Sequence, residues 1–159
     1  MSGKLQVTTP SDTEIEMVRA FDAPRRLVYD ALTKPELVSR WLGVFGGHTM
    51  PVCEIDLRVG GKYRYVWTMP EGGLMGMGGV FQEIVPNERL VVTEKFDDAW
   101  YPGEAINVTT LSEKNGRTTM SLLVRYESKD ARDAVLKSGM ETGVDASYDT
   151  LDGVLASLR

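Results

Sequence analysis

Six strand-like runs, at residues 52–57, 62–69, 74–85, 89–96, 105–112 and 118–126, follow one another through turn signals. This succession constrains the fold more than any other feature of the chain. Gly60-Gly61, Pro70-Glu71-Gly72-Gly73, Pro86-Asn87-Glu88 and Lys114-Asn115-Gly116 lie between the runs. Asn-Gly favours positive φ at both central positions and is a strong hairpin signal. Parallel neighbours would need crossovers of about a dozen residues, so runs joined this closely pair antiparallel.

The flanking segments complete the pattern. In residues 14–21, Ile15, Met17 and Phe21 alternate onto one face, with Arg19 breaking the series, and a strand is expected. Asp22 or Ala23 can then cap a helix with Pro24 at its first position, where a missing N–H costs nothing. Leu27, Val28, Ala31 and Leu32 carry that helix to Thr33. Pro35 breaks it, and a second short helix carries Leu37, Val38, Trp41 and Leu42. A glycine-rich loop spans 43–50. After the last strand the period changes. Ser128 caps a helix to Lys137, and a longer helix follows over 139–158. Its stripe is Met140, Val144, Tyr148, Leu151, Leu155 and Leu158, with Asp145, Asp149 and Asp152 on the wet face. Twenty helical residues span about 30 Å. Residues 1–11 are small and polar and read as a flexible N-terminus, leaving 12–159 as one domain. The expected class is α+β: an antiparallel sheet of about six to seven strands, two short helices after the first, and a long C-terminal helix covering one face. The space between sheet and helix is the first candidate site.

Composition narrows the function classes. The chain has 159 residues, enough for one domain with a real core. Its 18 Lys+Arg against 23 Asp+Glu give a net charge of −5, which argues against a nucleic-acid surface. No apolar run reaches the ~20 residues of a membrane span. The first 13 residues hold one Lys and no apolar core, so no secretory signal is expected. A lone cysteine, Cys53, makes neither an internal disulfide nor a thiolate zinc site. These features point to a cytoplasmic protein, and neither metal nor organic cofactor is expected.

The stretch Phe21-Asp22-Ala23-Pro24, with Val28, Ala31, Pro35-Glu36 and Trp41-Leu42-Gly43, resembles the opening of the SRPBCC (START-like, Bet v 1-like) superfamily. The segment from Glu54-Ile55-Asp56 through Gly60-Gly61-Lys62-Tyr63-Arg64 is similar to the branch of activator of Hsp90 ATPase homologues (AHSA1-like). So are Gly116-Arg117-Thr118, Gly139-Met140 and Leu151-Asp152. The resemblance covers residues 12–158. It implies a helix-grip fold, a curved sheet gripping the C-terminal helix around a hydrophobic cavity. Superfamily members carry lipids, plant hormones or polyketides, and a few catalyse cyclisation or dehydration. A fold hosts many functions, so the activity must be argued from the site.

The cavity residues expected from pattern are Trp41, Phe45, Tyr63, Tyr65, Trp67, Phe81, Met140, Val144 and Tyr148, joined by Glu94. Tyr63, Tyr65 and Trp67 share one strand face, as cavity wall or as ordinary packing. Glu94 alternates in phase with Leu90, Val92 and Phe96, so it points inward as an acid or base, or pairs with Arg64 or Arg125. His48, the single histidine, is a general base at the cavity mouth or a plain loop residue. Cys53 reads as a structural thiol. The segment Leu74-Met75-Gly76-Met77-Gly78-Gly79 is a flexible gate or a bulge. Asp56 and Arg58 form a surface pair. No catalytic triad or phosphate loop is visible, so no catalytic residue is assigned. The leading expectation is a module binding an apolar or amphipathic small molecule. An enzyme acting in the same cavity, or a chaperone-interacting module by analogy with the Hsp90 activator, are the alternatives. The sequence allows a homodimer without requiring one. The charge balance yields one prediction: the protein shows no appreciable affinity for duplex DNA at physiological salt, and a salt-dependent micromolar complex in a filter or anisotropy titration would contradict it.

Overall fold

A computed structural model describes residues 3–99, 101 and 103–159. The elements are β1 (Gln6–Thr8), β2 (Glu14–Phe21), α1 (Arg25–Thr33), α2 (Pro35–Val38), β3 (Thr49–Ile55), β4 (Lys62–Thr68), β5 (Leu74–Val85), β6 (Arg89–Phe96), β7 (Ala105–Lys114), β8 (Arg117–Arg125), α3 (Lys129–Lys137) and α4 (Met140–Leu158). Eight antiparallel strands form one open curved sheet in the order β1-β2-β8-β7-β6-β5-β4-β3. The six runs from β3 to β8 are a meander of neighbours. The β2 strand closes onto β8, with Ile15 opposite Val124 and Phe21 opposite Thr118. The sheet has eight strands because Gln6–Thr8 adds a short edge strand on β2, inside the segment read as flexible.

Local chemistry explains most boundaries. Asn115 (φ 54°) and Gly116 (φ 75°) take the left-handed conformations of a tight turn between β7 and β8. The Ser128 hydroxyl accepts from the Ala131 N–H at 3.0 Å and caps α3. At α1 the expected cap is replaced: Pro24 itself takes the cap position with no side-chain bond. The orphan N–H of Arg25 is met instead by the Glu113 carboxylate of β7 at 2.8 Å, and a negative charge suits a helix N-terminus. The second helix is shorter than expected. It ends at Val38, and Trp41 sits beyond it, donating its indole N–H to the Ala31 carbonyl at 2.8 Å.

Arg19 does not interrupt the buried face of β2; it belongs to it. Ile15, Met17, Arg19 and Phe21 are all buried in strict alternation. The Arg19 guanidinium reaches α4, donating to the Tyr148 carbonyl at 3.2 Å, to Asp149 at 3.0 Å and to Asp152 at 2.7 Å. It also lies 4.8 Å from the Phe21 ring centroid. Asp149 and Asp152 are three apart and so share one helix face. Asp145 and Asp149 are exposed as expected, whereas Asp152 is half-buried; Asp149 and Asp152 also serve as acceptors for Arg19. Tyr148, Leu151 and Leu155 of the expected stripe are buried, and Met140 and Val144 are half-buried.

The apolar interior falls into two clusters. One gathers α1, Trp41, the β4 aromatics and the second half of α4, including Tyr148 and Leu151. The other gathers Ile15, Met17, Tyr101, Val124, Tyr126 and Val135. Leu5, Phe96 and Val144 pack against both while remaining partly exposed. Residues of both clusters line the cavity described next. Arg19→Ala removes three charge-assisted bonds, and since Asp149 keeps 68 % of its side chain exposed, that partner is readily rehydrated. The expected loss is about 1.5–3 kcal/mol, read from urea denaturation; an unchanged midpoint would show that this bracket contributes nothing.

Candidate functional site

A cavity of about 510 Å³ lies between α4 and the concave sheet face. The ten residues expected from the sequence all lie on its wall. Tyr63, Tyr65 and Trp67 come from β4, Phe81 from β5, Glu94 from β6, Trp41 and Phe45 from the segment after α2, and Met140, Val144 and Tyr148 from α4. The aromatics are in mutual contact. Tyr63 and Tyr65 have centroids 5.1 Å apart, Tyr65 and Trp67 6.0 Å, and Trp41 and Tyr148 6.1 Å.

The loop side of the wall is held by specific bonds. The Trp67 indole N–H donates to the Leu42 carbonyl at 2.8 Å, and the Gly43 N–H donates to the Ser147 hydroxyl of α4 at 3.0 Å. Position 43 must be glycine: φ is +69°, and a Cβ would lie 2.5 Å from the Trp67 indole nitrogen. His48 lines the cavity beside Phe45, with Nδ1 2.6 Å from the Phe45 carbonyl and ring centroids 5.2 Å apart. This loop bond occupies one ring nitrogen.

Glu94 is the acidic side chain of the wall. Its proposed arginine partners are engaged elsewhere, Arg64 with Asp97 and Arg125 with Glu14. Its Oε2 accepts instead from the Asn107 amide of β7 at 2.8 Å. Burial holds the carboxyl above the usual range, and the Asn107 bond opposes this without reversing it. The hydroxyl of Tyr63 donates to the Thr93 carbonyl at 2.5 Å. Burial first, and the Glu94 charge second, raise the Tyr63, Tyr101 and Tyr126 phenols above their ordinary value. Burial also raises Tyr65 and Tyr148, so these phenols stay protonated and can donate. Among the described residues the Tyr65, Tyr126 and Tyr148 hydroxyls have no protein partner, and all three line the cavity.

The Met-Gly segment is not a bulge. It is a regular part of β5, with Val66 opposite Gly76 and Arg64 opposite Gly78; the register shift comes later, between Phe81 and Glu83. Met75 and Met77 line the cavity. Gly76 leaves room on the outer face for the Arg64–Asp97 pair, which crosses over β5: a Cβ there would lie 2.2 Å from Asp97 Oδ2. Gly79 makes the closest approach, since its Cβ would fall 1.9 Å from the Thr93 carbonyl oxygen. At this point the Val80 N–H bonds the Thr93 hydroxyl at 2.9 Å.

Cys53 is half-buried, and burial, then the Glu36 charge, pushes its thiol up to about 11. It is a thiol at neutral pH, which suits packing and not attack. Asp56 and Arg58 pair at 2.8 Å on the surface. Among the described residues no group of three or more His, Cys, Asp or Glu could hold a metal ion. The sequence reading missed Tyr101, Asn107 and Tyr126. Tyr126 continues the inward phase of Met120 and Val124 one residue past β8, and Asn107 lies in phase with Ala105 and Leu111, so alternation could have found both. Tyr101 sits between β6 and β7, where no period applies.

The chain matches the family described as activator of Hsp90 ATPase homolog 1-like protein over residues 22–156. It belongs to that family. A crystal structure of a Rhodobacter sphaeroides protein is 34 % identical, with a TM-score of 0.91, covering 97 % of this chain and 99 % of that one. Protein CV1439 from Chromobacterium violaceum is 29 % identical, with a TM-score of 0.80 over 91 % of this chain and 98 % of its own. Protein Ms6760 from Mycobacterium smegmatis, at 23 % identity and TM-score 0.84, covers 94 % of this chain and 95 % of its own and shares the fold. Among curated proteins none matches the sequence significantly. The α+β helix-grip architecture of this family is thus the architecture of the chain, and no helix among the described residues is long and apolar enough to cross a membrane.

The Glu94 environment gives a signed pH dependence. A carboxyl held more tightly protonated in the folded protein stabilises it least at high pH, so stability falls as pH rises above the ordinary glutamate range. Glu94→Gln keeps an acceptor for Asn107 and removes this cost. The variant should melt higher than the wild type at neutral pH, with the difference shrinking toward about pH 4. Parallel melting curves across that range would contradict a buried, destabilised carboxylate.

Proposed function

We propose that this protein is a small-molecule-binding module that holds an apolar or amphipathic ligand between the sheet and α4. The observation that carries the reading is the cavity of about 510 Å³ lined by residues of both core clusters. That size is within the roughly 300–1,000 Å³ of ligand pockets, whose walls are mostly apolar with a few placed polar groups. Protein interiors are ordinarily packed to crystal density. A void of this size therefore costs contact energy unless something fills it. Burying apolar ligand surface supplies about 25 cal/mol per Å². Trp41, Phe45, Tyr63, Tyr65, Trp67, Phe81, Met140, Val144 and Tyr148 provide the apolar contact, while Glu94 and the Tyr65 and Tyr148 hydroxyls set orientation.

One observation favours a second reading, catalysis in the same space. Glu94 is a half-buried carboxyl with a raised pKa facing a cavity, which is the setting of a general acid or base. No activated nucleophile accompanies it among the described lining residues. A chaperone-interaction module would expose a contiguous apolar patch. The large exposed apolar residues Leu57, Val59, Leu74 and Leu136 do not favour it, because Leu57 and Val59 lie before β4, Leu74 opens β5 opposite Thr68 at the other end of β4, and Leu136 lies on α3.

Val144, half-buried on the cavity wall, separates an open site from a solid core. In an open site Val144→Trp fills vacant volume, abolishes binding of a fluorescent naphthalene dye and leaves the melting temperature nearly constant. In a filled core the added bulk costs about 1–3 kcal/mol. Failure of the wild type to bind the dye, with a clear drop in the variant's melting temperature, would reject the ligand-binding reading.

A further inference from the structure

The cavity wall is unbalanced in charge. Glu94 is its acidic side chain, and no lysine or arginine lies among the described lining residues. The neighbouring arginines of the sheet are held by Asp97 and Glu14. Asn107 occupies one carboxylate oxygen, Oε2, and no other hydrogen bond reaches the group from the described residues. A carboxylate largely withdrawn from water without a counter-charge is costly, and the described lining residues supply no lysine or arginine to offset it.

Glu94 shares the cavity wall with tyrosines. Tyr63 and Tyr65 of β4, Tyr101 from the β6–β7 connection and Tyr126 after β8 all feel its charge. Tyr101 and Tyr126 meet edge to face, with centroids 5.3 Å apart and planes at 88°. Tyr63 and Tyr65 are tilted by 43° at 5.1 Å. Rings at these angles offer π faces in several directions. The face of an aromatic ring attracts a cation, most strongly where water is excluded. An anionic ligand would meet a carboxyl and, among the described lining residues, no lysine or arginine, and a neutral one would leave the carboxyl uncompensated.

We infer that the ligand carries a cationic nitrogen, a protonated amine or a quaternary ammonium, seated against Glu94 among the tyrosine rings, with an apolar body extending toward Trp67 and α4. This rests on the reading of the cavity as a ligand site. Asn107 is the positioning residue, fixing the carboxyl plane by its bond to Oε2. Tyr63 is locked by its own bond to Thr93, so it contributes its ring and not a free hydroxyl.

Three probes with one apolar body separate the cases: naphthylmethylamine, naphthalenemethanol and naphthoic acid, titrated calorimetrically into the full chain at neutral pH. The amine should bind at least about tenfold more tightly than the alcohol, and the acid most weakly. In Glu94→Gln the amine-to-alcohol ratio should fall to near one. Glu94→Met, which matches the volume without the charge, serves if the glutamine variant does not fold. An alcohol that binds as well as the amine would overturn the inference and leave the cavity reading standing. An amine preference that survives both variants would place the cation elsewhere and also overturn it. If none of the three binds, the cavity reading falls and this inference with it.

Discussion

The reach of Arg19 across the interior is the interaction on which the arrangement of sheet and helix depends. A guanidinium on a buried strand face must find acceptors, because leaving it unpaired away from water is prohibitive. It finds them on one turn of α4, at the Tyr148 carbonyl and the Asp149 and Asp152 carboxylates. These bonds are directional, so they set both the height and the rotation of α4 over β2. Hydrophobic burial alone has no such directionality. From that fixed point, Leu151 and Leu155 are carried into the core on α1 and β4, and Val144 and Met140 are carried over the cavity. A helix held by a polar clamp near its middle need not settle onto the sheet along its whole length. The space under its first turns is compatible with that.

A second consequence concerns how the wall is built. The aromatic row of β4 is braced from behind. Tyr63 is tied to β6 through the Thr93 carbonyl, and Trp67 is tied to the loop through the Leu42 carbonyl. Their rings can therefore stand around an empty volume without collapsing into it. Gly79 and Gly43 make these ties sterically feasible, one letting the Thr93 carbonyl approach and the other admitting the Trp67 indole. The glycines that look like flexible punctuation in the sequence are positions of close packing.

Much of this is legible in the sequence itself. The bounds of β5 and β6, the hairpin at Asn115-Gly116, the cap at Ser128 and the stripe of α4 follow from period and turn chemistry, which are local. The inward face of β4 and the inward phase of Glu94 follow from alternation. What could not be read were the non-local polar partners. Arg19 looks like an interruption until α4 supplies its acceptors from 129–133 residues away. Asp152 looks fully solvated for the same reason, and Asp149, which is exposed, gives no sign in the sequence of its bond to Arg19. Glu94 finds Asn107 in place of an arginine because the arginines meet closer acids on the outer face. The β1 strand was hidden because three residues carry too little pattern to register. Tyr101 was hidden because it lies outside any periodic element.

The open sheet also ends in two free edges, and both are blunted. An unpaired strand edge is a template for another chain. On one side β1 is three residues long, too short to nucleate extended pairing. On the other, β3 carries Pro51, which lacks an N–H, inside a register shift between Thr49 and Val52. Growth of the sheet by strand addition is thereby discouraged at each end. A sheet that does not close on itself keeps unpaired backbone at its margins, and these two irregularities make those margins poor templates for another strand.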